Sequence, residues 1–139
     1  MSGYVTFLMG ARELAGRLTE VHEVVRATGI ETLPGARAPV TGLLMLRSNP
    51  VPVVDVRTAA DAGDTGDVLV LDTPQGALGL AVDRVLAVLG PEELAPTEGR
   101  PSESLPSYVL EVRRDDAGAP VFVVSLAALA GLDTAAFPR

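Results

Sequence analysis

Short apolar segments separated by turn residues run through almost the whole chain. Three of them are YVTFLM at 4–9, VHEVVR at 21–26 and PVFVV at 120–124, and their lengths and patterns are those of β-strands. Turn residues such as Gly10-Ala11 and Pro34-Gly35 stand between such segments, where the backbone has to reverse. We therefore expect an all-β (mainly β) protein with nine or ten short strands and one or two short helices.

A polar stretch of small residues, Thr58 to Asp67, divides the pattern into two parts. Each part has about 65 residues, which is marginal for independent stability, so the two parts should pack against each other. We predict a single domain over residues 1–139, built from two packed barrel subdomains at residues 4–66 and 67–133. In the second part, Ala77 to Leu89 reads as one long strand bent at Asp83-Arg84.

Several residues predict local features. A hairpin is expected around Ser48-Asn49-Pro50, and Pro50 and Pro52 indicate an edge position or a bulge in its second strand. Gly16 lies inside a strand pattern and indicates a bulge or a tight corner. Ser125 is placed to begin a short helix that Gly131 ends.

Composition excludes several kinds of chemistry. The net charge is −7, which disfavours nucleic acid and anionic lipid as partners. All 11 basic residues are arginine, so neither a Schiff-base lysine nor a P-loop lysine is present. The chain has no cysteine and a single histidine, too few ligands for a zinc site of the usual type. No apolar run reaches about 18 residues, so we expect a soluble cytoplasmic protein without direct membrane insertion.

Two remaining groups could be drawn as catalytic or metal sites. The lone histidine, His22, lies on the polar side of its strand pattern, where a surface role is expected. Asp61, Asp64 and Asp67 are spaced three residues apart, whereas a calcium-binding EF-hand loop needs ligands at alternate positions and a glutamate at the twelfth. We therefore expect no enzyme activity, no cofactor and no metal site.

One segment stands out as a docking surface. Residues 32–57 contain two apolar clusters that meet near Asn49-Pro50, and Arg47 lies at their junction. An arginine at the edge of an apolar hairpin, with no catalytic partner nearby, indicates contact with another protein.

The order of short motifs along the chain resembles the CheW family, the coupling proteins of bacterial chemosensory arrays. The segments that carry the resemblance are Tyr4–Phe7, Val21–Val24, Leu33–Gly35, Gly42, Met45–Ser48, Pro52–Arg57, Val82–Val85 and Val121–Leu129. They correspond to the family's opening strand, V-x-E-[IV], leucine-proline turn and glycine. The later segments correspond to the family motifs N-L-R-G, P-V-[IV]-D-L-R and V-D-x-V and to its final strand and helix. The resemblance extends over nearly the whole chain.

The resemblance implies a fold and a set of partners. The fold would be two five-stranded SH3-like barrels with a hydrophobic layer between them. The partners would be the cytoplasmic tip of a chemoreceptor and either the regulatory domain of a CheA-type histidine kinase or a second CheW-like protein. The receptor helix would lie in an apolar groove between the barrels, and the protein would be recruited to chemosensory arrays.

Position by position, the resemblance places five residues at the receptor: Val21, Glu23, Gly42, Arg47 and Val85. Each also has a purely structural alternative. The valines could belong to the core, Gly42 could serve a bulge, and Glu23 and Arg47 could pair with each other. Asp55 and Asp83 are expected to be structural, because each stands at a strand end where a carboxylate accepts backbone N–H groups.

The chain also departs from the family pattern. Met45 and Ser48 replace the first and last residues of N-L-R-G, and the small residues Thr58-Ala59-Ala60 stand where a large apolar anchor is usual. Since large anchors dominate interface energies, one alternative is an accessory CheW-like protein of the FrzB type with weakened kinase docking. A second alternative is an unrelated small β-barrel that binds peptides, which would need an aromatic face that this chain can hardly build.

Overall fold

The computed structural model of the protein describes residues 3–36, 39–58, 62–97 and 105–131. These residues form twelve β-strands, one 3₁₀ turn at Leu18–Glu20 and one short helix. The strands are β1 Tyr4–Met9, β2 Arg12–Arg17, β3 Val21–Arg26, β4 Glu31–Thr32, β5 Gly42–Leu46, β6 Asn49–Asp55, β7 Asp67–Thr73, β8 Gly76–Val82, β9 Arg84–Leu89, β10 Ala95–Pro96, β11 Val109–Arg114 and β12 Pro120–Val124, and the helix is α1 Leu126–Leu129.

The strands form two sheets of six. The terminal sheet has the order β10-β11-β12-β2-β1-β9, and the central sheet has the order β3-β7-β8-β6-β5-β4. Each contains five longer strands and one strand of only two residues, β10 or β4. The expectation of a mainly β protein with two five-stranded SH3-like subdomains and a short helix is confirmed.

The two sheets do not correspond to the expected parts at residues 4–66 and 67–133. The chain begins in the terminal sheet, enters the central sheet after Leu18–Glu20, and returns to the terminal sheet at Asp83. The terminal sheet is completed by long-range pairing, in which β12 lies parallel to β2 and β9 lies antiparallel to β1. The polar stretch around residues 58–67 is therefore a connection within the central sheet, between β6 and β7. The expected long strand is in fact two strands, β8 and β9, which belong to different sheets.

Three apolar clusters hold this arrangement together. One lies within the central sheet and includes Val53, Val68 and Val70, and another lies within the terminal sheet and includes Val121 and Val123. The largest cluster, called here the inter-sheet core, takes residues from both sheets: Val5, Phe7, Leu14, Val54, Leu69, Leu71, Leu78, Leu80, Val82, Val124, Leu126 and Ala130. The two subdomains thus share one hydrophobic layer.

Strand β7 shows why the sequence folds in this way. Val68 and Val70 face the cluster of the central sheet, whereas Leu69 and Leu71 face the inter-sheet core. Side chains of a strand alternate between its two faces, and both faces of β7 are covered. That is why this strand reads as a continuous apolar run and not as an alternation.

The β5–β6 hairpin turns one residue earlier than expected. Leu46 pairs with Asn49, so the turn consists of Arg47 and Ser48. The second strand of this hairpin, β6, lies between β5 and β8 in the central sheet, but only its residues 53–55 pair with β8. Pro50 and Pro52 precede that paired part, where a residue without an N–H group is tolerated.

Gly16 marks a packing contact. Its strand pairs with β1 in unbroken register over residues 12–17, so Gly16 is not a bulge. A Cβ atom at this position would lie 2.5–2.8 Å from the side chain of Leu126. Leu126 opens the helix that Ser125 begins, with the Ser125 hydroxyl accepting a hydrogen bond from the Ala128 N–H. Gly16 therefore makes room for the helix on the sheet.

Candidate partner-binding groove

An open groove of about 460 Å³ lies between the two sheets. Its walls come from β3, an edge strand of the central sheet, and β9, an edge strand of the terminal sheet. The lining residues are Val24, Arg26, Gly66, Asp67, Asp83, Arg84 and Val85. A concave surface between two subdomains is a common place for a ligand or a partner segment.

The groove is more polar than the apolar cleft that the resemblance implied. Four of its lining residues are charged, namely Arg26, Asp67, Asp83 and Arg84. Exposed apolar side chains also lie along its edge strands: Val24, which lines the groove, is 40% exposed, and Leu86 and Val88 beside it are 40% and 65% exposed. These three are among the large hydrophobic side chains with most exposure in the described part of the chain. The surface thus combines a charged groove with apolar flanks.

Glu23 and Arg47 form a two-pronged ion pair. Nη1 of Arg47 donates to Oε2 of Glu23 at 3.1 Å, and Nη2 donates to Oε1. The hydrogen bond from Arg47 lowers the pKa of the Glu23 carboxyl, and the same bond raises the pKa of Arg47. The pair joins β3 to the tip of the β5–β6 hairpin, although these elements stand far apart in the order of the central sheet. Sheet curvature brings them together, and the Arg47 side chain remains 65% exposed.

The backbone at Arg47 is unusual. Arg47 and Ser48 have φ values of 47° and 70°, the left-handed pattern that a type I′ hairpin turn requires at both central residues. Asparagine and glycine are preferred at these positions because most residues are strained there. The hairpin holds Arg47 at its tip, from which the guanidinium reaches the Glu23 carboxylate.

The other three expected receptor residues occupy different surroundings. Val21 and Val85 are half-buried and pack against the inter-sheet core, and Val85 also lines the groove. Gly42 is buried and lines a separate pocket. A Cβ atom on Gly42 would lie 2.8 Å from the Glu31 carbonyl oxygen, so the pairing of β4 with β5 accounts for a glycine at this position.

Asp83 stands where the chain crosses from the central to the terminal sheet. Its carboxylate accepts hydrogen bonds from the Gly10 N–H at 2.6 Å, the Thr58 N–H at 2.9 Å and the Thr58 hydroxyl at 2.8 Å. Burial raises the pKa of Asp83, but these hydrogen bonds outweigh burial and hold it below its usual value. One side chain therefore connects the β1–β2 turn, the segment that follows β6 and the β8–β9 crossing.

Asp55 and Arg57 organise the neighbouring loop. Nε and Nη2 of Arg57 donate to the two Asp55 oxygens at 3.0 and 2.7 Å. Nη1 donates to the carbonyls of Gly63 and Thr65, and the Arg57 side chain is only 7% exposed. Burial raises the pKa of Asp55, but the hydrogen bonds from Arg57 outweigh it and leave that pKa lowered. Hydrogen bonds from Arg57 thus hold the part of the β6–β7 connection that contains Gly63 and Thr65.

The residues considered for catalysis or metal binding are dispersed. His22 is exposed, with Nδ1 3.4 Å from an oxygen of Asp72. Asp64 accepts the Gly29 N–H and Asp67 accepts the Val85 N–H, while Asp61 lies outside the described residues. Within those residues, no group of three or more histidine, aspartate or glutamate side chains is arranged to hold a metal ion. No helix formed by the same residues has the length and apolarity needed to cross a bilayer.

Sequence reasoning missed several residues of this region. Val24, Arg26 and Arg84 line the groove, but their exposure depends on β3 and β9 being edge strands, which no local pattern reveals. Arg57 had a usable sequence signal. It follows Asp55 by two residues, and side chains two apart in an extended segment share a face.

Comparisons with known proteins agree with this fold. A family model described as CheW-like domain matches residues 3–133. No curated protein is similar enough in sequence to be counted as a relative. Among solved structures, the crystal structure of the scaffolding protein TtCheW from Thermoanaerobacter tengcongensis is similar, with a TM-score of 0.70 and 19% sequence identity. The match covers 89% of this chain and 88% of that one. The chain therefore belongs to the CheW-like domain family, to which the coupling proteins of bacterial chemosensory arrays belong.

Proposed function

We propose that this protein is a non-catalytic coupling protein of a bacterial chemosensory complex. It binds the helical cytoplasmic tip of a chemoreceptor at the groove between β3 and β9. The family supports a scaffolding role and not an enzymatic one, and the groove supplies a surface for it. Val21, Glu23, Arg47 and Val85 remain proposed receptor-facing residues, whereas Gly42 is buried, lines a separate pocket and is assigned to the β4–β5 pairing.

The observation that carries this proposal is the position of the exposed apolar side chains. Val24 on β3 and Leu86 and Val88 on β9 stand on the two edge strands that border the groove. Exposed apolar side chains beside a concave surface are typical of protein interaction sites. An amphipathic helix recognises such a surface with residues three and four apart, so a helical receptor tip fits it.

A second partner is a CheA-type kinase regulatory domain or another CheW-like protein. The accessory alternative with weakened kinase docking depends on the small residues 59 and 60, which lie outside the described residues. Exposed Met45 and Leu33 lie on or near the central sheet, away from the β3–β9 groove lining, and offer apolar area for such a partner. Kinase binding is accordingly tested beside receptor binding.

Parallel capture experiments test the proposal. The wild-type chain and Arg47→Ala are each mixed with a receptor signalling tip and with a CheA regulatory domain. We expect the wild type to capture the tip and Arg47→Ala to capture it more weakly, because the Arg47 side chain is 65% exposed and its N–H groups not bound to Glu23 can donate to a carboxylate or carbonyl. Arg114→Ala is the matched control, since Arg114 is an exposed arginine outside the groove.

The outcomes separate the possibilities. Failure of the wild type to capture the tip would refute the proposed function. Unchanged capture by Arg47→Ala, with an unchanged urea midpoint, would remove Arg47 from the interface. A large fall in the urea midpoint would show instead that the ion pair with Glu23 serves stability. Kinase binding as tight as that of an ordinary coupling protein would exclude the accessory alternative.

A further inference from the structure

The groove between β3 and β9 carries two arginines at its rim and two aspartates beside them. Arg26 is the last residue of β3, and Arg84 is the first residue of β9. Both side chains belong to exposed residues, whereas Asp67 and Asp83 are partly buried. Formally the four charges cancel, so which charged groups a partner can reach depends on which of them already have partners within the chain.

The two aspartates are committed to groups within the chain. Oδ2 of Asp67 accepts the Val85 N–H at 2.8 Å, and the Asp67 side chain is only 16% exposed. Both oxygens of Asp83 accept hydrogen bonds, from the Gly10 N–H and from the N–H and hydroxyl of Thr58. These hydrogen bonds and the partial burial of both residues leave the two carboxylates less accessible to a partner than the exposed arginines.

The two arginines are far less committed. Arg26 is 78% exposed, and its Nε lies 3.8 Å from Asp67, beyond hydrogen-bond distance. The backbone of Arg84 belongs to the β1–β9 pairing, but its side chain makes no hydrogen bond or ion pair with another residue in the described part of the chain. A guanidinium presents five donors in a planar fork that matches a carboxylate. The groove therefore presents exposed guanidinium donors to a partner, although its four charges cancel formally and the chain as a whole carries a charge of −7.

We propose that Arg26 and Arg84 select a partner helix that carries carboxylates on its contact face. The aliphatic part of that face packs on Val24 and Val85, and its acidic side chains reach the two arginines on opposite walls of the groove. This inference rests on the proposed function, because it names the chemistry of the helix that the groove accepts. It makes Arg26 and Arg84 determinants of specificity. Neither of them belongs to the five residues that the family resemblance singled out.

Charge reversal tests the inference. Binding of a receptor signalling tip is measured for the wild type, Arg26→Glu, Arg84→Glu and the matched control Arg114→Glu. Each variant lowers the net charge from −7 to −9, because one positive charge becomes one negative charge. Differences between the variants therefore report position and not overall charge. Urea midpoints of all four chains verify that the exposed substitutions leave the fold intact.

We expect each groove variant to bind roughly 3- to 10-fold more weakly than the control, a typical size for charges at an interface rim. The difference should largely disappear when salt is raised from about 0.1 M to about 1 M, where the Debye length falls from about 10 Å to about 3 Å. A tip variant with its contact-face glutamates changed to arginine should recover binding to Arg84→Glu.

A second probe separates this inference from the proposed function. A helical peptide with glutamates on one face is compared with the same peptide carrying glutamines. If the wild type ignores the receptor tip but prefers the glutamate peptide, the charge selectivity holds and the proposed partner is wrong. If the tip binds but both groove variants behave like Arg114→Glu, the inference is overturned and the proposed function stands. Equal binding of the two peptides also overturns the inference.

Discussion

The hairpin turn that carries Arg47 contains a residue in an unfavourable backbone conformation, and replacing it should stabilise the protein. Ser48 has a φ of 70° in a turn that requires left-handed backbone at both central positions. Its side chain is exposed, and its hydroxyl makes no hydrogen bond with another described residue. Ser48→Gly therefore removes strain without removing a native interaction. Glycine also stands at this position in the family motif that the sequence resembles.

The size of the effect follows from two opposing terms. A left-handed conformation costs an L-residue about 1–2 kcal/mol relative to the right-handed one. Glycine avoids that cost but loses about 0.5–1 kcal/mol more conformational free energy on folding than a residue with a Cβ atom. The net gain in the free energy of unfolding is about 0.5–1 kcal/mol. For a chain of 139 residues, that gain corresponds to a melting temperature higher by about 2–5 °C.

Urea and thermal unfolding of four chains test this prediction. Ser48→Gly should be more stable than the wild type, and Ser48→Ala should not, because alanine keeps the Cβ atom that causes the strain. Ser107→Gly is a second control, since that serine lies in a turn without a positive φ. A Ser48→Gly chain no more stable than Ser48→Ala would refute the assigned turn geometry.

Two further predictions concern stability. Gly16→Ala should lower the urea midpoint because the new Cβ atom would lie 2.5–2.8 Å from the Leu126 side chain. Adding Leu126→Val to the Gly16→Ala chain should recover part of that loss. Additive losses of stability in the double variant would contradict this prediction. The pKa of Asp55 is lower in the folded protein than in the unfolded chain, so the ionised carboxylate stabilises the fold. This contribution is fully present above the unfolded pKa near 3.9 and is lost as the pH falls through the folded pKa. Asp55→Asn should therefore be less stable than the wild type at neutral pH, with the difference narrowing below about pH 4; a constant difference in urea midpoint across that range would contradict the role of the ion pair with Arg57.

Local features of this fold were predictable because they depend on neighbouring residues. The strand at 21–26 and the helix that starts after Ser125 lie where the pattern placed them. Sheet membership was not predictable, because β12 pairs with β2 across more than a hundred residues of chain, and neither strand carries a signature of the other. The polar stretch at residues 58–67 has the composition of a boundary between subdomains, because loops within a sheet and linkers between subdomains have similar compositions.

The candidate site shows the same division. Glu23 and Arg47 could be selected from sequence, but that they bond to each other depends on the curvature of the central sheet. Arg26 and Arg84 could not be selected, because each is simply an exposed residue at the end of a strand. Only the folded structure, which places both arginines at one groove, identifies them as candidate binding residues.

The most direct measurement of the central claim is the site of receptor contact on this chain. Backbone amide resonances of the isotope-labelled protein would be followed while an unlabelled receptor signalling tip is added. The groove account predicts that the largest changes fall on β3 and β9, including Val24 and Val85. Changes confined to the opposite edge of the terminal sheet, at β10 and β11, would contradict it.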